Sequence, residues 1–176
     1  KIVEFSKKIN DFSHNFIQVG SGSLGGKARG LAFANKLLIK KSLKNKYSRI
    51  DIRVPKIIAI GTDEFDIFME KNNLWEIALN VKNNKKILDK FLKSSLQKKL
   101  ITILKDIINN IEYPLAIRSS SLLEDSQYKP LAGIYSTFML PNSSKSKSNR
   151  LNQLIEAIKR IYASTFFQNP KSLLNN

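Results

Sequence analysis

A mixed fold of the α+β (mixed α/β) kind is predicted by three features of this 176-residue chain. Short runs of β-formers are too brief for helices, longer stretches repeat apolar residues at helical spacing, and the two kinds alternate along the chain. With 42% hydrophobic residues, there is apolar material for one domain with a real core, or slightly more than one.

Residues 16–19, Phe-Ile-Gln-Val, read as a short strand or extended lead-in. Five of the seven glycines then fall between Gly20 and Gly30. From Lys27 to about Lys40, Leu31, Ala34, Leu37 and Leu38 recur at helical spacing, so the glycine segment opens a helix. Residues 40–53 form a basic, polar connection. Val54 to Ile60 is expected to be a buried strand, with Pro55 near its start, where a missing N–H does least harm. Gly61 ends it, and Thr62 is placed to cap a helix whose first turn holds Asp63 and Glu64. Phe65, Phe68 and Met69 give that helix its apolar face, and residues 80–86 read as a solvated turn. Ile87 through Ile108 then make one long helix or two broken near Ser94-Ser95. Tyr113 to Arg118 is a strand entered through Pro114, and Gly133 to Leu140 is a third strand stopped by Pro141-Asn142. Residues 142–149 read as a polar loop, and a last helix runs from about Arg150 to Phe167.

Composition excludes several functions. No run approaches the roughly 18 consecutive apolar residues of a membrane span, and the first residues lack a signal-peptide pattern. A soluble, cytoplasmic protein is expected. There are no cysteines and one histidine, which removes disulfides, thiolate metal sites and imidazole-rich metal sites. A net charge of +16 invites a nucleic-acid reading. The charge is mostly lysine spread from Lys7 to Lys171, a compositional bias rather than a binding stripe, so nucleic acid is disfavoured as the main partner.

Gly20-Ser21-Gly22-Ser23-Leu24-Gly25 satisfies the dinucleotide fingerprint G-x-G-x-x-G, but the acidic residue needed about 20 positions later is missing, since Asp51 comes late. A Walker A loop fails twice: Ser21 occupies its first glycine position and Ala28 replaces the magnesium-binding hydroxyl. What remains is a flexible turn, a helix start with backbone donors, and Lys27 in its first turn. Such an end attracts anions, and phosphate in particular; a plain loop with an exposed lysine is the alternative.

In the second constellation, Arg118 ends an apolar strand and is followed by Ser119, Ser120 and Ser121. A guanidinium with hydroxyls beside it suits bidentate capture of a phosphate. Pairing of Arg118 with Glu124 or Asp125 in an ordinary loop is the competing reading, and spacing alone leaves both open.

Taken together, Leu24-Gly25-Gly26-Lys27-Ala28, Val54-Pro55 with Gly61-Thr62, residues 117–126, and Leu131-Ala132-Gly133-Ile134-Tyr135-Ser136-Thr137 stand in the order and rough spacing of a known family. The chain resembles the amino-terminal ATP-binding domain of phosphoenolpyruvate synthase and pyruvate phosphate dikinase, from about Val19 to Phe167. The resemblance implies a partial ATP-grasp nucleotide-binding domain, residues 1–176 being the amino-terminal part of a longer multidomain phosphotransferase. It implies that Gly25, Gly26 and Lys27 hold nucleotide phosphates, that Arg118 and Ser119 of the R-S-S motif clamp them, and that Gly133 and Thr137 line the nucleotide pocket. In such chemistry the protein mainly positions and stabilises charge.

ATP and Mg2+ are the implied cofactors, with the Mg2+ ligands expected beyond Asn176, so no metal ligand and no catalytic residue is assigned here. Pyruvate or a related acceptor, and the phosphorylated histidine, would belong to other domains; nothing matches His14 to that histidine. A homodimer is one expectation for the full-length protein. Where the family usually has Gln after Ala-Gly, this chain has Ile134, which favours a second reading as a non-catalytic nucleotide sensor.

Overall fold

The computed structural model describes residues 3–4, 15–40, 49–50, 52, 54–120 and 136–167. His14, Gly133, Ile134 and residues 121–135 as a whole lie outside them. The chain divides into two compact units, one of Lys1–Asp63 with Ser120–Asp125, the other of Glu64–Ser119 with Ser126–Asn176.

The first unit is built on a parallel sheet of β1 (Val3–Glu4), β2 (Phe16–Val19) and β3 (Ile57–Ile60), in the order β1-β2-β3. The register of β2 on β3 runs from Phe16↔Ile57 to Val19↔Ile60. Parallel neighbours cannot be joined by a tight turn, and α1 (Gly25–Lys40) lies in the connection between β2 and β3. A central parallel strand is covered on both faces and so reads as a continuous apolar run. Accordingly Phe16, Ile17 and Val19 are all buried. Phe16, Ala28 and Ala59 form the small core, with Leu24, Ala32 and Ile57 packed around it. The strand expected from Val54 begins only at Ile57. Pro55 stays outside the ladder, where it has no hydrogen bond to give, and the Ile57 amide donates to the Asn15 carbonyl.

The second unit is mainly helical. After the first two residues of α2 (Thr62–Lys71) it contains the rest of that helix, α3 (Trp75–Asn80), α4 (Asn84–Lys93), α5 (Lys98–Asn110) and α6 (Lys147–Ser164), and the antiparallel pair β4 (Leu115–Arg118) and β5 (Thr137–Leu140). A Schellman motif ends α2. Asn73 adopts φ 50°, its amide donates to Glu70 O, and the Leu74 amide reaches back to Met69 O. Leu74 and Met69, both fully buried, supply the apolar contact that accompanies this motif. The sequence reading missed both this stop and the short α3 behind it.

Of the two readings of residues 87–108, the broken one is correct. Ser94 Oγ donates to Lys90 O, and Asn72 grips Ser95 by accepting from its amide and donating to its carbonyl. Asn83 caps α4 by accepting from the Lys86 amide, so the helix starts inside the expected solvated turn. Ser146 caps α6 by accepting from the Asn149 amide, which starts that helix about three residues earlier than its apolar stripe suggests.

Helix α6 packs on α4, α5, β4 and β5. The core joins Leu154, Ile158 and Ile161 of α6 to Ile87 and Phe91 of α4 and Leu100, Leu104 and Ile108 of α5. The Phe68 ring lies tilted against those of Phe91 and Tyr162, with centroids 5.8 and 5.4 Å away. At the edge of the packing, Lys159 Nζ donates to Leu92 O, and burial lowers the pKa of its ammonium while nearby Glu156 opposes the shift. Glu64 is 2% exposed and accepts a hydrogen bond from Gln97 Nε2 at 2.5 Å. Gln97→Leu leaves that carboxylate without its donor. It is expected to cost about 1–3 kcal/mol, measured as a lower urea midpoint; an unchanged midpoint would show that Glu64 does not depend on this bond.

Candidate functional site

In open sheets with parallel strands, ligands gather beyond the carboxyl ends of the strands. The glycine loop leaves the carboxyl end of β2, and Gly61-Thr62-Asp63 leaves the same end of β3. These two segments are zipped together. The Gly61 amide donates to Val19 O, the Thr62 amide to Ser23 O, and the Ser23 amide to Thr62 Oγ1. Ser21 donates both its amide and its hydroxyl to Asp63 Oδ2, at 2.7 and 2.9 Å. Thr62 therefore opens α2 with its hydroxyl turned to the glycine loop.

The loop can follow this path because Gly20, Gly22 and Gly25 have φ of 75°, 82° and 71°, a region costly for other residues. Gly25 begins α1, and Gly26 and Lys27 follow in its first turn, both half-buried. No acidic side chain sits in that turn to offset the positive end of the helix dipole. Two of the helix-start amides are nonetheless already committed. Gly25 N–H donates to Ser23 Oγ at 3.3 Å, and Ala28 N–H to Ser120 Oγ at 3.0 Å. Arg29 Nη2 also donates to Ser23 Oγ, steadying the loop from within the helix.

Ser120 corrects one detail of the sequence reading. Its hydroxyl is not a spare donor for phosphate: it donates to Leu24 O at 2.8 Å while accepting from Ala28. Ser120 is thus a strut of the helix start. Among the described residues Asp63 Oδ1 is buried with no hydrogen-bond partner.

Arg118 and Thr137 belong to the second unit and stand directly opposite each other, as the last and first residues of β4 and β5. Side chains on a strand alternate between faces. Ala116, Arg118, Thr137 and Met139 share the exposed face, whereas Leu115, Ile117, Phe138 and Leu140 share the half-buried one. Ser119 follows Arg118 and is half-buried. Of the proposed site residues, then, Gly25, Gly26 and Lys27 are gathered at one helix start in the first unit. Arg118 and Thr137 are gathered on one strand face in the second, and Gly133 lies outside the described residues. Sequence reasoning missed Asp63, Ser120 and Arg29, whose partners could not be read from local spacing.

A parallel sheet whose glycine-rich loop leads into a helix, joined in one chain to a helical unit carrying an exposed arginine strand, defines an α+β nucleotide-binding domain in part. Residues 21–174 match the sequence model of the pyruvate phosphate dikinase, AMP/ATP-binding domain. The chain belongs to that family. No curated protein and no solved structure matches it. Among the described residues no helix is long and apolar enough to cross a membrane. Nor does any group of three or more histidine and acidic side chains among them suit a metal ion, so no Mg2+ ligand set is assigned to these residues.

Proposed function

We propose that this chain is the ATP-binding portion of a phosphotransferase resembling phosphoenolpyruvate synthase and pyruvate phosphate dikinase. In this reading, residues 1–176 are the amino-terminal part of the complete protein's ATP-binding domain. Phosphate moves from ATP, through a histidine outside this chain, to pyruvate or a related acceptor. Gly25 and Gly26 let the backbone approach the nucleotide phosphates, and Lys27 adds a full positive charge. Arg118, with Ser119, clamps the phosphates through its planar donor fork, and Gly133 and Thr137 line the pocket.

The observation that carries this reading is the family match over residues 21–174, which covers the glycine loop, Arg118 and Thr137 alike. The shared exposed face of Arg118 and Thr137 supports it, because both must be accessible to touch a ligand. The proposed protein is cytoplasmic, and the full-length enzyme is a homodimer in the simplest form of the reading. Magnesium, when bound, would neutralise phosphate charge.

The complete protein is expected to release AMP and phosphate from ATP when pyruvate is supplied. ATP binding without any such release would replace the transferase with a nucleotide sensor, the reading that Ile134 favours, and absence of ATP binding would reject both.

A further inference from the structure

The β4–β5 pair that presents Arg118 is only four residue pairs long. Isolated, a two-stranded ribbon of that size is marginal in water; here its half-buried face packs on α6, which disfavours a one-residue slip that would turn every side chain to the opposite face. The ends of the ribbon add a second hold on the register. At the Leu115↔Leu140 end, the next residues are Pro114 on one strand and Pro141 on the other. Neither has an N–H, so the backbone ladder cannot continue there.

One residue further on, Asn142 takes over with its side chain. Its Nδ2 donates to Ile111 O at 2.9 Å and to Tyr113 O at 3.1 Å, spanning the approach to β4. Asn142 is 4% exposed and has φ 54°, a left-handed conformation that asparagine tolerates better than most residues. Arg150, 5% exposed in the first turns of α6, donates from Nη1 to the same Ile111 carbonyl at 3.2 Å. Ile111 is the C-cap of α5. One carboxamide therefore ties the end of β5 to the chain entering β4, and a buried guanidinium anchors that point to α6.

We propose that Asn142 is a positioning residue: by replacing the ladder bonds that Pro114 and Pro141 cannot make, it fixes the β4–β5 register and so keeps Arg118 and Thr137 on the exposed, ligand-facing side. The link to nucleotide binding rests on the reading of Arg118 given above; the register lock itself does not.

A cross-strand disulfide reports the register directly. Ala116 and Met139 are paired on the exposed face, opposed strand residues lie within disulfide reach, and there is no native cysteine to compete. In the Ala116→Cys/Met139→Cys background, cross-linking of the full chain is followed with and without Asn142→Gly. Glycine accepts φ 54°, so this variant removes the side chain without straining the backbone there. Asn142→Asp serves as a second variant, keeping the shape while replacing the donor by an acceptor.

Loss of roughly one net buried hydrogen bond is expected to raise the ratio of slipped to paired register by about fivefold in either variant, and cross-linking slows as the paired fraction falls. ATP affinity should fall in parallel, and a preformed disulfide between the same two positions should restore it. A lower melting temperature with unchanged cross-linking would show a merely structural role and overturn the proposal. Slower cross-linking with unchanged ATP affinity would leave the register lock standing and reject Arg118 as a phosphate ligand. Should both variants fail to fold, the decision passes to the preformed disulfide: recovery of folding with it in place supports the lock, and no recovery overturns it.

Discussion

Gly25→Ala is expected to unfold most of the first unit, or to leave it barely stable. A Cβ at this position would lie 1.2 Å from the Ser120 carbonyl oxygen and 2.4 Å from its carbon. These are backbone atoms, so no flexible side chain can swing aside. Relief requires moving Ser120, and Ser120 Oγ bridges Leu24 O and the Ala28 amide at the start of α1. The left-handed φ of 71° adds about 1–2 kcal/mol for any residue with a Cβ. Overpacking contributes roughly 1–3 kcal/mol, and loss of the two Ser120 bonds about 1 kcal/mol each. The sum, roughly 4–7 kcal/mol, is comparable with the whole stability of an ordinary domain.

Gly30→Ala supplies the control. That glycine sits inside α1 with nothing within 4 Å of its missing Cβ, so alanine there should stabilise by about 0.5–1 kcal/mol through helix propensity. Thermal or urea unfolding of the two variants should therefore move in opposite directions. Equal midpoints would mean that Ser120 does not close over the helix start as described.

Sequence legibility followed the range of the interactions. Strand β2 was readable because a central parallel strand must be apolar on both faces, and Phe16, Ile17 and Val19 say so locally. The start of α1 was readable because glycines concentrate only where the backbone must take unusual paths. Strand β1, two residues long, carries no periodic signal at all. Helix α3 was hidden behind a stop that depends on Asn73 entering the left-handed region, a property many asparagines do not use. The roles of Ser120 and Asn142 were out of reach for another reason. Ser120 meets Ala28 of α1 and Leu24 just before it, 92 and 96 positions away, and Asn142 meets carbonyls 31 and 29 positions away. Spacing along the chain identifies the residue types for such bonds but not their partners. Hence three serines after Arg118 read as one group of donors, although Ser120 is spent on the protein's own backbone.

On the functional side, the largest effects are expected at Arg118 and Lys27. Arg118 is exposed at the end of β4, opposite Thr137, and surface substitutions of this kind usually change stability by no more than about 0.5 kcal/mol. Arg118→Ala should therefore leave the melting temperature nearly unchanged. If the guanidinium holds phosphate, its charge-assisted bonds are worth roughly 1.5–3 kcal/mol, so ATP affinity should fall by about 10- to 150-fold. Arg118→Lys should recover only part of the loss, because an ammonium cannot reproduce the bidentate fork.

Lys27→Ala is expected to weaken ATP binding to a similar degree, measured beside its melting temperature because the side chain is half-buried. The double variant should abolish detectable binding by the complete protein. Titration calorimetry with ATP decides the matter, and equal affinity in parent and double variant would reject the assigned clamp. The same pair also separates ATP from nucleic acid as the ligand of this basic chain. Two cations among 30 lysines and arginines are a small part of a diffuse field, so salt-sensitive DNA retention, if it occurs, should survive their removal. Loss of ATP binding with DNA retention intact would locate the nucleotide's partners in these two side chains and leave the remaining positive charge as a property of the surface.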